Sequence, residues 1–124
     1  IPCTLFCSKA TGQKKRDKET IVKSIGNSLC YSVFHESRQV AFARVVTDCA
    51  TFAYLCDVFV DEAYRGRGIS KWLMSEIMKN PDLQKLRRFV LATKNAHSLY
   101  EKFGFASLSV EENRRFMSIL KEDA

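Results

Sequence analysis

The residues of this chain whose types and spacing could do chemistry lie in one run, Val58-Phe59-Val60-Asp61-Glu62-Ala63-Tyr64-Arg65-Gly66-Arg67-Gly68-Ile69-Ser70-Lys71. β-forming residues end at Val60, and a loop of glycine and arginine opens directly into a stretch of helical period. A helix starting there leaves its first backbone N–H groups without intrahelical acceptors, and its dipole adds positive potential at the same place. Gly66 and Gly68 let the backbone come close to a ligand, because a Cβ would hold a phosphate away. Arg65, Arg67 and Lys71 add charge around the N–H groups of Ile69 and Ser70. The chemistry this suggests is the holding of an anion such as a phosphate; the alternative is a tight strand-to-helix turn with solvated arginines. The run is not a Walker loop, because Gly-x-x-x-x-Gly-Lys-Ser/Thr cannot be written on it. Nor is it the dinucleotide fingerprint, which needs a third spaced glycine.

Metal and thiol chemistry find less support. Cysteines stand at 3, 7, 30, 49 and 56, an odd and irregular set that reads as reduced thiols. Cys3 and Cys7 could face each other one helical turn apart. With only His35 and His97 besides, no four-ligand zinc set of normal spacing can be written, so no metal is expected. Cys49 and Cys56 are expected to be small core hydrophobes. A nucleophilic cysteine would need a histidine near it, and the sequence does not place one.

The elements that must position the loop follow from period and punctuation. Residues 11–18 (TGQKKRDK) are polar and basic and read as a loop. Asp17 can cap a helix carrying Ile21, Val22 and Ile25, with Gly26-Asn27 as its stop. Residues 29–36 and 39–47 are β runs joined by a tight turn, an antiparallel hairpin. Residues 52–60 (FAYLCDVFV) are apolar on both faces apart from Asp57, which predicts a central strand covered by helices on both sides. Ile69, Trp72, Leu73 and Ile77 then recur at helical spacing up to Asn80-Pro81. Residues 86–93 return to strand, and 95–103 form a short helix with Ala96, Leu99, Tyr100 and Phe103 on one face. Gly104 stands where that helix needs a residue of positive φ, and Phe105 packs back behind it. Residues 105–110 and 116–120 could each be a further strand. The class is α+β with α/β-type layering: one domain, a mixed but mostly antiparallel sheet, and helices on both faces. At 124 residues the chain fills one domain length. It lacks an initiator Met, so the first residues of the natural chain are expected to be absent.

With these residues in order, the chain resembles the Gcn5-related N-acetyltransferases. The pyrophosphate loop of that family, Gln/Arg-x-x-Gly-x-Gly/Ala, is matched by Arg65-Gly66-Arg67-Gly68-Ile69-Ser70, with Ser70 in place of the small last residue. A second element, roughly Asn-x-x-Ala-x-x-Leu-Tyr-Glu-Lys-x-Gly-Phe, is matched at Ala96, Leu99, Tyr100, Glu101, Lys102, Gly104 and Phe105. The two motifs stand in the family's order within residues 29–110. Thr93 falls where the family has an Asn seven positions before its Tyr. The family's N-terminal strand and helix look short or missing.

The resemblance implies an acetyl-CoA-dependent N-acetyltransferase acting by direct attack of an amine on the thioester. It places pantetheine amides on the backbone of Val58 and Val60, like an added strand, and the pyrophosphate on the N–H groups from Arg67 to Lys71. Tyr100 is similar to the family's general acid for the leaving thiolate; otherwise it is a packed core tyrosine. Asp57, the one carboxylate inside the central strand, could accept the amine's proton directly or through water, or be hydrogen-bonded structure. His97 reads as a cleft-edge or surface residue rather than a base.

The expected partners are acetyl-CoA and an amine acceptor, with a homodimer left open. A non-catalytic domain that binds acyl-CoA and senses or scaffolds is the alternative. Twenty Lys and Arg against fourteen Asp and Glu give a formal charge of +6, which favours anionic partners. Lys14-Lys15-Arg16 and Arg87-Arg88 raise nucleic acid as a partner. The aromatics, however, occupy apolar periodic positions rather than interleaving with exposed basic residues, which argues against it. No apolar run approaches the roughly 20 residues of a membrane span. The start of the chain is too short and broken for a signal peptide, so the expected location is cytoplasmic.

Overall fold

The computed structural model describes residues 4–8 and 17–121. Asp17 accepts the Thr20 N–H at 2.8 Å and so opens α1, Lys18–Gly26, which lays Ile21 and Ile25 against the sheet and stops at Asn27. Strands β1 (Thr4–Ser8), β2 (Leu29–His35), β3 (Arg38–Thr47), β4 (Phe52–Val60) and β5 (Arg88–Leu91) form one sheet in that order. The first three pairings are antiparallel, and β4 with β5 is parallel. A parallel neighbour needs a crossover, and α2 (Ile69–Met78) supplies it. Two short helices follow β5: α3 (His97–Glu101) and α4 (Val110–Arg115).

The sheet has a core on each face. Cys30 and Phe42 meet Ile21 and Ile25 of α1 on one side. On the other, Tyr31, Val33, Val45, Leu55 and Val60 pack with Ile69, Leu73, Met74 and Ile77 of α2 and Tyr100 of α3. Helices on both faces and a mixed, mostly antiparallel sheet are therefore present, as the periodicity predicts. No helix of the described residues is long and apolar enough to cross a membrane.

Several expectations change. β4 is the fourth strand of five and is covered fully on one face only: Phe52, Tyr54 and Phe59 keep 42%, 39% and 40% of their surface exposed, because α1 is too short to reach them all. Lys18 belongs to α1 rather than to the preceding loop, and Lys14-Lys15-Arg16 lie outside the described residues. Cys7 is in strand β1, not on a helix; Cys3 lies outside the described residues. Cys49 is exposed at φ 60° in the β3–β4 turn, where Asp48 gathers the chain, and is not in the core. The N-terminal strand and helix expected to be short or missing are present and short, β1 with five residues and α1 with nine. Neither 105–110 nor 116–120 is a strand. Ser109 and Glu112 cap each other's backbone and start α4 instead, a local signal that overrides alternation.

Candidate functional site

β4 hands over to α2 through a tightly tied corner. The Asp61 N–H donates to the Val40 carbonyl at 2.7 Å, and Asp61 Oδ1 accepts from the Ala63 N–H at 3.0 Å, opening a single 3-10 turn over Glu62–Tyr64. The Ala63 bond and then the Arg38 guanidinium hold the Asp61 carboxyl below the usual range. Gly66 and Gly68 follow at φ 79° and 80°, a conformation in which other L-residues are strained, and Gly68 is the N-cap of α2. A Cβ at either glycine would meet no heavy atom within 4 Å, so the backbone demands glycine while the space before it is open. No side chain caps α2, which leaves the N–H groups of Ile69, Ser70 and Lys71 for a ligand. Arg65 Nε donates to the Val60 carbonyl at 3.1 Å, and the Arg67 guanidinium carbon lies 5.4 Å from the Tyr64 ring centre. Among the described residues none of Arg65, Arg67 and Lys71 is in an ion pair. Lys102, at the end of α3, lies near Lys71, whose like charge pushes it below its ordinary value.

Beside this corner the sheet opens. The parallel ladder ends at Leu55↔Leu91, while β4 runs on to Val60. Since Asp61 bonds back to Val40 on β3, alternation turns the N–H and C=O of Val60, and of Val58 two residues earlier, away from β3 into the gap beyond β5. Thr93 Oγ1 accepts the Ala96 N–H at 3.1 Å, so the residue at this position fixes the start of α3. The end of α3 carries the paired bonds of a Schellman motif, Gly104 N–H to Glu101 C=O and Phe105 N–H to Tyr100 C=O, with Gly104 at φ 98°. Tyr100 is thereby buried against the core with Phe105 edge-on, ring centres 6.1 Å apart, and burial raises its phenol above the ordinary value. At neutral pH it is a proton donor. A cavity of about 790 Å³ runs from β5 past Thr93, exposed His97 and Tyr100 to the segment after α3. Neither the Gly66–Gly68 corner nor any residue of β4 lines it, so this cavity and the anion corner are two separate places.

Asp57 is bound elsewhere than in a free proton-accepting position. It sits at φ 54°, and its Oδ2 accepts from Arg44 Nε at 2.8 Å; Arg44 Nη1 donates in turn to Ser28 Oγ at 3.0 Å. The two side chains are only 17% and 11% exposed. Burial works most strongly against the Arg44 charge, but the Asp57 hydrogen bond and the electrostatic influence of Cys56, Asp57 and Cys30 together outweigh it and raise Arg44 above its ordinary value. Sequence reasoning missed Arg44, though its signal was there: a lone cation in the apolar run QVAFARVVT needs an anion, and the next strand holds one. It also missed Tyr64 and His35, whose contact spans 29 positions and leaves no local pattern.

Known proteins resemble this chain in sequence and in fold. Residues 26–107 match the acetyltransferase (GNAT) domain family. A Gibberella zeae protein named as a candidate acetyltransferase is 31% identical over 106 residues, 83% of this chain; the chain spans about half, 55%, of that relative's length. A crystal structure from Xanthomonas campestris, described as a candidate acetyltransferase of the GNAT family, is 49% identical and superposes with a TM-score of 0.76 over 82% of this chain and 71% of its own. A GNAT family acetyltransferase from Elizabethkingia anophelis, described with acetyl-CoA bound, shares the fold at 14% identity, with a TM-score of 0.65 over 97% of this chain and 89% of its own.

Proposed function

Because the chain belongs to the acetyltransferase (GNAT) domain family, we propose that it transfers the acetyl group of acetyl-CoA to a primary amine by direct attack. The observation that carries this reading is the uncapped start of α2 behind two left-handed glycines, next to the stretch of β4 that runs on past its ladder with β5. Val58 and Val60 would offer that edge to the amides of pantetheine, as a strand accepts a neighbour. The N–H groups from Arg67 to Lys71 would hold the pyrophosphate, with Arg65, Arg67 and Lys71 supplying charge and Gly66 and Gly68 the close approach. Thr93 orders the start of α3 at the cofactor's reacting end. The fold relative from Elizabethkingia anophelis, described with acetyl-CoA, supports the same cosubstrate.

The reaction needs an amine freed of its proton, a stabilised oxyanion and a proton for the leaving thiolate. Tyr100 would give that last proton, since its phenol stays protonated in its buried setting. Asp57 would take the amine's proton through water, one oxygen being held by Arg44. That same hold favours a second reading, in which the domain binds an acyl-CoA without turnover. Cys30, Cys49 and Cys56 are in the thiol form rather than in disulfides, which fits a reducing, cytoplasmic setting.

The test is release of CoA thiol across a panel of amino acids, polyamines, aminoglycosides and peptides, with thermal melting in acetyl-CoA alongside. Thiol release with any amine above the hydrolytic background supports transfer. A melting shift with no amine-dependent release selects the binding domain, and the absence of both overturns the two readings together.

A further inference from the structure

We infer that Tyr64 is a positioning residue of the anion corner: clamped by the β2–β3 turn, its ring holds the guanidinium of Arg67 ready beside the start of α2. Tyr64 closes the 3-10 turn and directly precedes Arg65-Gly66-Arg67. Its OH lies 2.6 Å from His35 Nδ1, with the two rings edge-on at 5.5 Å. Arg38, from the same β2–β3 turn, donates to Asp61 Oδ2 at 2.6 Å and places its guanidinium carbon 6.0 Å from the Tyr64 ring centre. Both ends of the 3-10 turn are thus tied to one hairpin tip, 23 and 29 positions away in sequence.

Arg67 differs from Arg38 in what it meets. Arg38 is neutralised by Asp61, whereas Arg67 faces the ring at 5.4 Å and, among the described residues, no carboxylate. An aromatic face limits the rotamers of a guanidinium without cancelling its charge. An arginine held by a carboxylate would have to give up that partner before taking an anionic ligand; one held by a ring does not. The neighbouring glycines have no side chain to restrain Arg67, and the Tyr64 ring lies within cation–π reach of its guanidinium.

This inference rests on the acetyl-CoA reading, and its experiment separates the two. Acetyl-CoA affinity is measured by titration calorimetry for wild type, Tyr64→Met, Tyr64→Leu, Tyr64→Phe, Arg67→Gln and the doubles of each ring-less variant with Arg67→Gln. Loss of the ring should weaken binding roughly two- to five-fold, the worth of an exposed cation–π contact. In the Arg67→Gln background the same change should cost nothing further, which a merely structural tyrosine would not show. Tyr64→Phe keeps the ring and should bind as wild type while melting lower, having lost the His35 bond. Additive losses in the doubles, or ring-less proteins that bind as wild type, overturn the role of Tyr64 alone. If neither ring-less protein folds, the ring's task is structural and the inference falls. A wild-type protein without affinity for acetyl-CoA overturns the parent reading and this one with it.

Discussion

Replacing Asp57 by alanine should unfold this protein more readily than almost any other single change outside the apolar core. The substitution strips Arg44 of its carboxylate while leaving the cation 9% exposed beneath α1, where Ser28 Oγ accepts one of its hydrogen bonds. Breaking one side of a buried pair costs about 3–5 kcal/mol. The 17% exposure of the Asp57 side chain sets this case toward the lower end. Position 57 also has φ 54°, and alanine adds a further ~1 kcal/mol there, where aspartate is better tolerated. The sum is about 4 kcal/mol. With an unfolding entropy of about 2.1 cal/mol/K per residue, that lowers the melting temperature by roughly 15 °C.

Asp57→Asn keeps an oxygen for Arg44 Nε and tolerates the left-handed backbone, so it should lose only about 1–2 kcal/mol. Arg44→Met with Asp57→Asn removes the buried charge altogether and should recover most of that loss. Urea titrations of wild type, Asp57→Asn, Arg44→Met and the double variant give the coupling energy directly. An Asp57→Ala protein within about 1 kcal/mol of wild type would refute the reasoning, because it would mean that Arg44 finds water or another anion once Asp57 is gone.

Acetyl-CoA at a hundred times its dissociation constant should stabilise the protein by about 2.7 kcal/mol, a melting shift near 10 °C, and no shift at millimolar ligand would contradict the cosubstrate assignment. Gly68→Val should abolish that shift: its Cβ meets nothing in the chain, but the backbone at φ 80° rejects a branched residue and the side chain would stand where the phosphate belongs. Tyr100→Phe keeps the contact with Phe105 and should leave acetyl-CoA affinity unchanged while single-turnover transfer falls within the ~10²–10⁴-fold range of general-acid catalysis; transfer at the wild-type rate makes Tyr100 a packing residue. Asp48 accepts the N–H groups of Ala50, Thr51 and Phe52 and the Thr51 hydroxyl, so its carboxyl lies well below the ordinary 3.8. The stability it adds is complete above that ordinary value and is lost as pH falls toward its folded one, so melting temperatures should drop from about pH 5 to pH 2, less steeply in Asp48→Asn.

Local chemistry was legible where one principle acted alone. The N-cap at Asp17, the bounds of β4 and the Gly104-Phe105 ending of α3 are each set by residues within five positions. β5 was drawn too long because its ladder with β4 begins only at Phe52↔Arg88; one residue earlier the Arg87 N–H turns to the Thr51 carbonyl. After Gly104 two signals competed. Alternation in FASLSV and FMSIL favours strands, but the reciprocal cap of Ser109 and Glu112 is satisfied at once, without a partner strand. The outcome leaves Met117, Ile119 and Leu120 at least 85% exposed. In the site, the glycines and their positive φ could be read from the motif, whereas Arg38–Asp61, Arg44–Asp57 and His35–Tyr64 depend on strand register, which single-sequence pattern does not supply.

Asp57 shows why a residue's type alone could not settle its task. Between the pairs Phe42↔Phe59 and Arg44↔Cys56, β3 advances two residues and β4 three, so β4 carries one residue too many for its neighbour. The surplus forms a bulge, and the left-handed backbone at Asp57 lies within it. A bulge adds local twist, and the parallel ladder to β5 stops just before it, at Leu55↔Leu91. The gap toward which the backbone of Val58 and Val60 turns therefore begins where the bulge begins. The aspartate serves the backbone, which few side chains tolerate at this φ, and serves Arg44, which needs an anion. A base at this position would be a third task on a residue already fixed by two. Asparagine preserves the first and part of the second, so a fall in turnover in Asp57→Asn, at unchanged acetyl-CoA affinity and with the fold intact, isolates proton transfer from architecture; alanine cannot.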